Sequence, residues 1–225
     1  GKITGCLVEG PYDFYISMSP ERAAEFAVRD GQLDHVGDSI EAECFFAALE
    51  SAAFFESDLH KLIEIGLSYL PDGHRMTSAF RDTVAAWEES HDPLAVREMV
   101  LTRYPSENWT DVTINLSFIL IALLAAESSF DRAICTAAEL GYDADCTCAT
   151  VGALFAIICP DSIDRRWTDP IGDELVLSRN MTNMQSPANI GAFCDRVDFV
   201  ARRALSYYGS QTEIVGVPAD APCFA

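Results

Sequence analysis

The sequence predicts an all-α fold, and two observations carry that prediction. Apolar residues recur every three or four positions over most of the chain, the spacing of one face of a helix. Capping residues, proline and glycine separate these segments at short intervals. Alternation typical of a strand is weak everywhere, and residues 212–217 are its one candidate. We therefore expect residues 1–225 to form a single all-α domain of about eight helices.

The individual helices are delimited by recognisable start and stop signals. Asp58 is a plausible N-cap, and Asp92 before Pro93 is a strong start signal because a capping residue precedes a first-turn proline. Gly141 is a natural helix stop, and Pro160 breaks the helix before it. The predicted helices are 39–57, 59–71, 76–89, 93–103, 113–126, 130–140, 146–158 and 193–208.

Two of these helices are expected to be buried on more than one side. Segment 146–158 is rich in small and apolar residues and is predicted to be central. In segment 39–57, two adjacent phenylalanine pairs, Phe45–Phe46 and Phe54–Phe55, point around the helix. That pattern fits either a central helix or a partner surface, and the sequence does not distinguish the two.

Composition limits the classes of function. Of the 225 residues, 49% are hydrophobic and 22% are charged, which is typical of a soluble globular protein. The longest apolar run, 118–126, is far shorter than the roughly 20 residues that a bilayer span needs. No secretion signal is recognisable, so we expect a cytoplasmic protein without a membrane partner. The net charge of −20 argues against a nucleic-acid partner, because phosphate binding needs a basic face.

Two aspartates stand out between the helices 130–140 and 146–158, in the sequence "GYDADC". Asp143 and Asp145 lie at a helix N-terminus, where backbone N–H groups favour negative charge. One interpretation is helix capping with nothing bound. The other is a hard-metal site, because two carboxylates in one loop can reach the same cation and oxygen ligands suit Mg²⁺ or Ca²⁺. Two carboxylates do not complete such a site, so further oxygen ligands would have to come from elsewhere.

Residues 108–173 resemble the C-terminal part of the ADP-ribosylglycohydrolase family. "GYDADCTCATVGALFAI" matches, nearly position for position, the family's metal motif and the helix after it. That motif is Gly-x-Asp-x-Asp-Thr, or Gly-x-Asp-Thr-Asp-Cys in one bacterial branch. "SSFDRAICTAAELG" resembles the family's Asp-Phe-x-x-Ala-Ile stretch. "CPDSIDRRWTDPIGDEL" resembles its Ile-Pro-x-x-Trp segment, with Trp167 in the tryptophan's place.

The resemblance implies a fold, a cofactor and three metal ligands. The family has a compact, all-helical, orthogonally packed fold and binds two Mg²⁺ ions in a central cleft. Asp143, Asp145 and Cys146 are by this resemblance expected to hold metal. Cys146 stands where most of the family has threonine, and a thiol is a soft, poor partner for Mg²⁺. The hydroxyl of Thr147 is an alternative ligand.

A second resemblance concerns substrate binding. "SPERAAEFAVRDGQLDHVGDSIEAECFFAAL" resembles the family's segment in which a histidine follows a helix and lines the ADP-ribose pocket. His35 is therefore expected to bind substrate, and the alternative is a histidine in a surface loop. Asp38, Ser39 and Glu41 stand where this loop usually has asparagine, glycine and tyrosine.

The family's N-terminal part is not recognisable in this sequence. That part carries a Gly-Asp-rich helix and a Thr-Asp-Asp-Thr motif, which supply the remaining metal ligands and the acidic residue that acts on water. The 225 residues contain neither motif, so the resemblance covers about two thirds of the family's domain, the C-terminal part without the N-terminal helices.

The function implied by the resemblance is Mg²⁺-dependent hydrolysis of the N- or O-glycosidic bond of an ADP-ribosylated substrate. The family's missing carboxylates would have to come from an N-terminal segment or a second chain, and no catalytic residue is identified in this sequence. Two alternatives remain open. The chain is either a catalytically inactive relative that binds ADP-ribose or a nucleotide, or a helical interaction scaffold.

Overall fold

In the computed structural model of the protein, the described residues are 19–177, 181 and 185–208. Within these ranges the chain forms ten α-helices and one 3-10 helix, and contains no strand. The all-α prediction is confirmed, and the strand candidate 212–217 lies outside the described residues. The helices are α1 Pro20–Gly31, α2 Asp38–Ala53, α3 Leu59–Leu67, α4 Arg75–Ser90, α5 Pro93–Arg103, α6 Val112–Ala125, α7 Phe130–Leu140, α8 Ala144–Ile158, the 3-10 helix Pro160–Ser162, α9 Arg165–Thr168 and α10 Ile190–Tyr207.

All eight helices predicted from the pattern are present, and two have the predicted ends. The structure adds α1 and the one-turn helix α9, and only the family resemblance implied the first of these. The local signal for α1 is Ser19 before Pro20, since the Ser19 side chain accepts a hydrogen bond from the backbone N–H of Arg22. Helix α2 ends at Ala53 rather than at residue 57, and beyond its end the Glu56 carboxylate accepts hydrogen bonds from the backbone N–H groups of Ser57 and Asp58.

Helix α6 is the central element of the fold. It packs against α2, α4, α5, α7 and α8, and Leu124 is its one residue that is not buried. The apolar run 118–126 therefore lies in the core, and no helix in the described part of the chain is long and apolar enough to cross a bilayer. Burial of this kind on all sides explains why α6 has no polar face.

The expectation that segment 146–158 is central is wrong. Helix α8 buries one face, which includes Val151, Leu154 and Phe155, and exposes Ala149 and Ala153 on the other. Alanine tolerates both the core and the surface, so a run of small residues does not by itself indicate burial on all sides.

Helix α2 is the second buried helix. The side chains of Phe45 and Phe46 are shielded from solvent, and the Phe45 ring contacts those of Phe46 and Phe80 at centroid distances of 5.0 and 4.8 Å. Phe55, by contrast, lies after the end of the helix and is 63% exposed. The first phenylalanine pair therefore belongs to the core, and only the second reaches the surface.

The close contact between α2 and α3 predicts a large effect at Gly66. A Cβ atom at Gly66 would lie 2.8 Å from the Phe45 ring and 3.0 Å from the Phe45 carbonyl oxygen. We expect Gly66→Ala to destabilise the protein by about 2 kcal/mol, because the backbone oxygen cannot move aside independently. Urea denaturation followed by circular dichroism measures the effect.

Gly152 in α8 provides the matched control. Its added Cβ would meet the Ile134 side chain at 3.7 Å, an ordinary contact distance. Gly152→Ala should therefore stabilise the protein by about 0.5–1 kcal/mol, the usual gain of alanine over glycine inside a helix. Equal effects at the two glycines would contradict the tight packing of α2 on α3.

Candidate functional site

The sharp turn between α7 and α8 positions the carboxylates singled out by the sequence. Gly141 ends α7 with a φ of +75°, and Tyr142 follows with a φ of +59°. Two successive residues with positive φ reverse the chain within a few ångströms, and the first of them favours glycine. Asp143 follows them directly and occupies the N-cap position of α8. The turn thus brings Asp143 against the central helix α6.

Asn115 of α6 anchors this turn. Its side-chain oxygen accepts a hydrogen bond of 3.0 Å from the backbone N–H of Asp143. Its amide nitrogen donates to the carbonyl oxygens of Trp109 and Asp111, each at 2.9 Å. The side chain is fully buried, and its hydrogen bond to the Asp143 N–H is shielded from water. Sequence reasoning missed this residue, and its signal is an asparagine within a helix in which apolar residues predominate.

The Asp143 side chain does not cap its helix. Four other aspartates occupy helix N-caps in the described part of the chain, namely Asp58, Asp92, Asp111 and Asp164, and each accepts a hydrogen bond from a backbone N–H. The Asp143 carboxylate makes no such bond, although it is only 7% exposed. Simple capping, the first interpretation of this motif, therefore does not account for Asp143.

The Asp143 carboxylate instead faces two other candidate ligands. One donor atom from each of Asp143, Asp145 and Cys146 lies within 4.8 Å of the other two. Burial raises the pKa of the Asp143 carboxyl, the hydrogen bond from the Cys146 thiol opposes that rise, and the Asp145 carboxylate raises the pKa further. Two carboxylates held this close repel each other, and a bound cation would relieve that repulsion.

The three donors suit a metal ion unequally. Burial and the charge of Asp143 raise the pKa of Cys146 to about 11, so the thiol stays protonated at neutral pH. The Thr147 hydroxyl, the alternative ligand, donates to the Ala144 carbonyl oxygen at 3.3 Å within its own helix. The two carboxylates are therefore the residues that fit a hard divalent cation.

The two sequence stretches on either side of the aspartates are in contact. Asp131 of α7 accepts a hydrogen bond from the Trp167 ring nitrogen and forms an ion pair with Arg166. The Trp167 ring also lies edge-on to the ring of Phe130, with centroids 5.8 Å apart. The segment after α8 is therefore fastened to the start of α7 by charge and by ring packing.

His35 lies in the loop between α1 and α2. Its partners are not the residues Asp143, Asp145 and Cys146, which we call the Asp143 group. Its Nδ1 atom is 2.6 Å from the Asp34 carboxylate and 3.8 Å from the Glu43 carboxylate. The side chain is 10% exposed, so it is not a freely solvated surface histidine. Gly31 makes room for Glu43, since a Cβ there would lie 2.0 Å from a Glu43 carboxylate oxygen.

Comparison with known proteins identifies one family. The family model described as ADP-ribosylglycohydrolase matches residues 6–197. The match covers most of the chain and includes His35, Asp143, Asp145 and Cys146. No curated protein and no solved structure matches the sequence.

Proposed function

This chain belongs to the ADP-ribosylglycohydrolase family, and from that premise we propose that it binds Mg²⁺ and the ADP-ribosyl part of a substrate. The membership confirms the resemblance seen in the sequence. Asp143 and Asp145 are the proposed metal ligands. Cys146 is the weakest member of the group, since a protonated thiol is a poor ligand for Mg²⁺.

The state of the Asp143 carboxylate is the observation that supports this proposal most directly. A buried carboxylate normally has a compensating partner, such as a helix N-terminus or an arginine. Asp143 has neither a capping bond nor a salt bridge with a basic side chain in the described ranges, and it has a second carboxylate beside it. A divalent cation supplies the missing positive charge.

The proposed chemistry follows from what such a cation offers. Mg²⁺ bound beside the ribose would polarise its hydroxyl groups next to the scissile glycosidic bond. The Asp143 and Asp145 carboxylates lie near each other, as two ligands of one cation would, and Asn115 fixes the backbone of the turn. His35 is the proposed contact to ADP-ribose, with its ring oriented by Asp34.

Hydrolysis is proposed to need more than the residues described. In the two-ion arrangement that we expect for this family, further carboxylates must hold the second Mg²⁺ and act on water. The sequence contains no pair of adjacent aspartates of the Thr-Asp-Asp-Thr type. We therefore propose that cleavage of an N- or O-linked ADP-ribosyl bond requires carboxylates from an additional segment or chain.

The absence of a Thr-Asp-Asp-Thr motif from this sequence also supports a second candidate function. A protein with one carboxylate pair and a protonated thiol in place of a threonine can bind a nucleotide-like ligand without hydrolysing it. Under this alternative the chain is an ADP-ribose-binding relative. Both candidates require Mg²⁺-dependent binding, and they differ in turnover.

Calorimetric titration of ADP-ribose tests the shared requirement. We expect heat of binding in Mg²⁺ buffer and at least tenfold weaker binding in chelator, because the cation bridges carboxylates and ribose. Asp143→Ala should abolish the Mg²⁺-dependent part of the ADP-ribose binding. Glu139→Ala, which removes an exposed carboxylate from α7 shortly before the turn, should bind like the parent and so controls for net charge.

Two results would contradict the proposal. Equal affinity for ADP-ribose in Mg²⁺ buffer and in chelator would contradict the proposed role of Mg²⁺ in binding. Absence of binding in both buffers, with Asp143→Ala as stable as the parent, would leave the chain as a helical scaffold.

A further inference from the structure

A second cluster of ligating side chains lies where α2 and α4 begin. Asp38 and Glu41 belong to the first turn of α2, and His74 occupies the N-cap position of α4. One donor atom from each of the three residues lies within 4.8 Å of the other two. The side chains are 43%, 26% and 28% exposed, so the cluster is half-buried rather than fully solvated.

Two buried atoms in this cluster have no hydrogen bond. Glu41 Oε2 and His74 Nδ1 are shielded from solvent, and neither has a hydrogen-bond partner among the described residues. They lie 2.9 Å apart, so the in-plane direction of the ring nitrogen does not point at the oxygen. Two shielded polar atoms that are adjacent but unbonded to each other are costly unless a third group satisfies both.

Their separation suits two ligands of one ion. Oxygen and nitrogen ligands at about 2.0–2.2 Å from a shared cation lie roughly 3 Å from each other. The third residue, Asp38, places its Oδ1 atom 3.3 Å from His74 Nε2, on the more exposed side. This carboxylate faces the other ring nitrogen, so it would orient the imidazole, and water would complete the coordination from the solvent side.

We propose that Asp38, Glu41 and His74 form a binding site for a divalent transition-metal ion of the Zn²⁺ or Co²⁺ type. An imidazole nitrogen beside a carboxylate oxygen suits such ions, whereas Mg²⁺ prefers oxygen ligands alone, and the Asp38 carboxylate at the other ring nitrogen would orient the imidazole. The site differs from the Asp143 group in its residues and its chemistry. The inference does not depend on the proposed function.

The principal alternative is a protonated His74 held between two carboxylates. An imidazolium donates a proton from both ring nitrogens, and each N–H would then point at a carboxylate oxygen. The Nδ1 atom has no such bond to Glu41 despite the short separation. The geometry therefore points to a shared cation rather than to a pair of charged hydrogen bonds.

A cation at this position would connect two helix starts that are distant in sequence. His74 stands at the beginning of α4, and Asp38 follows the loop that carries His35. Coordination would fix the orientation of this loop against α4. The expected role is structural support of the loop.

Titration with Co²⁺ in excess Mg²⁺ tests the site. Mg²⁺ occupies oxygen-only sites, and Co²⁺ bound to nitrogen and oxygen gives visible d–d absorption bands. The absorption is measured on the parent protein, on His74→Gln and Glu41→Gln, and on two controls. Asp143→Asn controls for the first metal group, and His60→Gln controls for an exposed histidine, 58% accessible, beside a carboxylate.

We expect one Co²⁺ per chain in the parent and in both controls. His74→Gln and Glu41→Gln should weaken binding by roughly tenfold or more, with unchanged circular dichroism. Binding through Cys146 would show instead as near-ultraviolet sulfur-to-cobalt absorption that disappears in Asp143→Asn. Absence of d–d bands in the parent, or bands of equal affinity in His74→Gln, would overturn the proposal. If His74→Gln does not fold, the Co²⁺ affinity of Glu41→Gln serves as the test, and an affinity equal to that of the parent would overturn the proposal.

Discussion

Replacing Asp143 with asparagine should stabilise the metal-free protein and abolish its response to Mg²⁺. Burial and the neighbouring Asp145 carboxylate raise the pKa of Asp143, so the fold disfavours its charged form. Asparagine has nearly the same shape and no charge. We expect a gain of about 1 kcal/mol at pH 7, or about 2–4 °C in the midpoint of thermal unfolding.

The stability cost of the Asp143 carboxylate should depend on pH in a definite direction. A carboxyl group whose folded pKa is raised costs stability above that pKa, and the cost disappears as the pH falls through it towards the ordinary value of 3.8. The parent should therefore become as stable as Asp143→Asn when the pH drops through this window. A difference between the two that grows on acidification would contradict the raised pKa.

Addition of Mg²⁺ should reverse the ranking of the two proteins. A cation at 100 times its dissociation constant stabilises the parent by about 2.7 kcal/mol, and Asp143→Asn should gain nothing. Glu139→Gln, the exposed control on α7, should respond like the parent. If Asp143→Asn instead loses stability without metal, the carboxylate has a structural partner and the metal assignment fails.

Replacing Asn115 with leucine should cost about 3 kcal/mol in the free energy of unfolding. The substitution keeps the branching and the number of side-chain heavy atoms but removes all three hydrogen bonds of a fully buried amide. It leaves the backbone N–H of Asp143 buried without its partner. We also expect weaker Mg²⁺ binding in the folded protein, because the turn loses its anchor. Denaturant unfolding and calorimetry measure the two effects separately.

Ser117 on the same helix is the control for that experiment. Its buried hydroxyl donates to the Thr113 carbonyl oxygen within α6 at 2.8 Å, so its removal orphans no backbone group of another element. Ser117→Ala should cost less than about 1 kcal/mol and leave Mg²⁺ binding unchanged. Equal losses at Ser117 and Asn115 would mean that Asn115 acts only as part of the core.

The fold was largely predictable because its signals are local. Asp92 before Pro93 and Gly141 after α7 each act within one helical turn, and both helix ends lie where the sequence predicts them. Which helix is central was not predictable in the same way. Burial depends on packing between elements, and the alanines of α8 are compatible with either the core or the surface.

In the candidate site, too, the residues with a local signal were predictable and those brought together by packing were not. Asp143 and Asp145 were found because one short motif contains them both. Asn115 was missed, since the turn it anchors is distant in sequence and only the packing of α6 brings the two together. The pairing of Glu41 with His74 likewise depends on how α2 and α4 meet. Contacts of this kind carry no periodic signal.

The hydrogen bond from the Asp143 amide to Asn115 has a consequence for ligand affinity. Ordering a flexible loop on binding lowers affinity, because the lost conformational entropy is deducted from the energy of the new contacts. Here the backbone at Asp143 is already immobilised against the most enclosed helix when the chain folds. A cation bound at the proposed site would therefore meet a carboxylate whose backbone is already ordered.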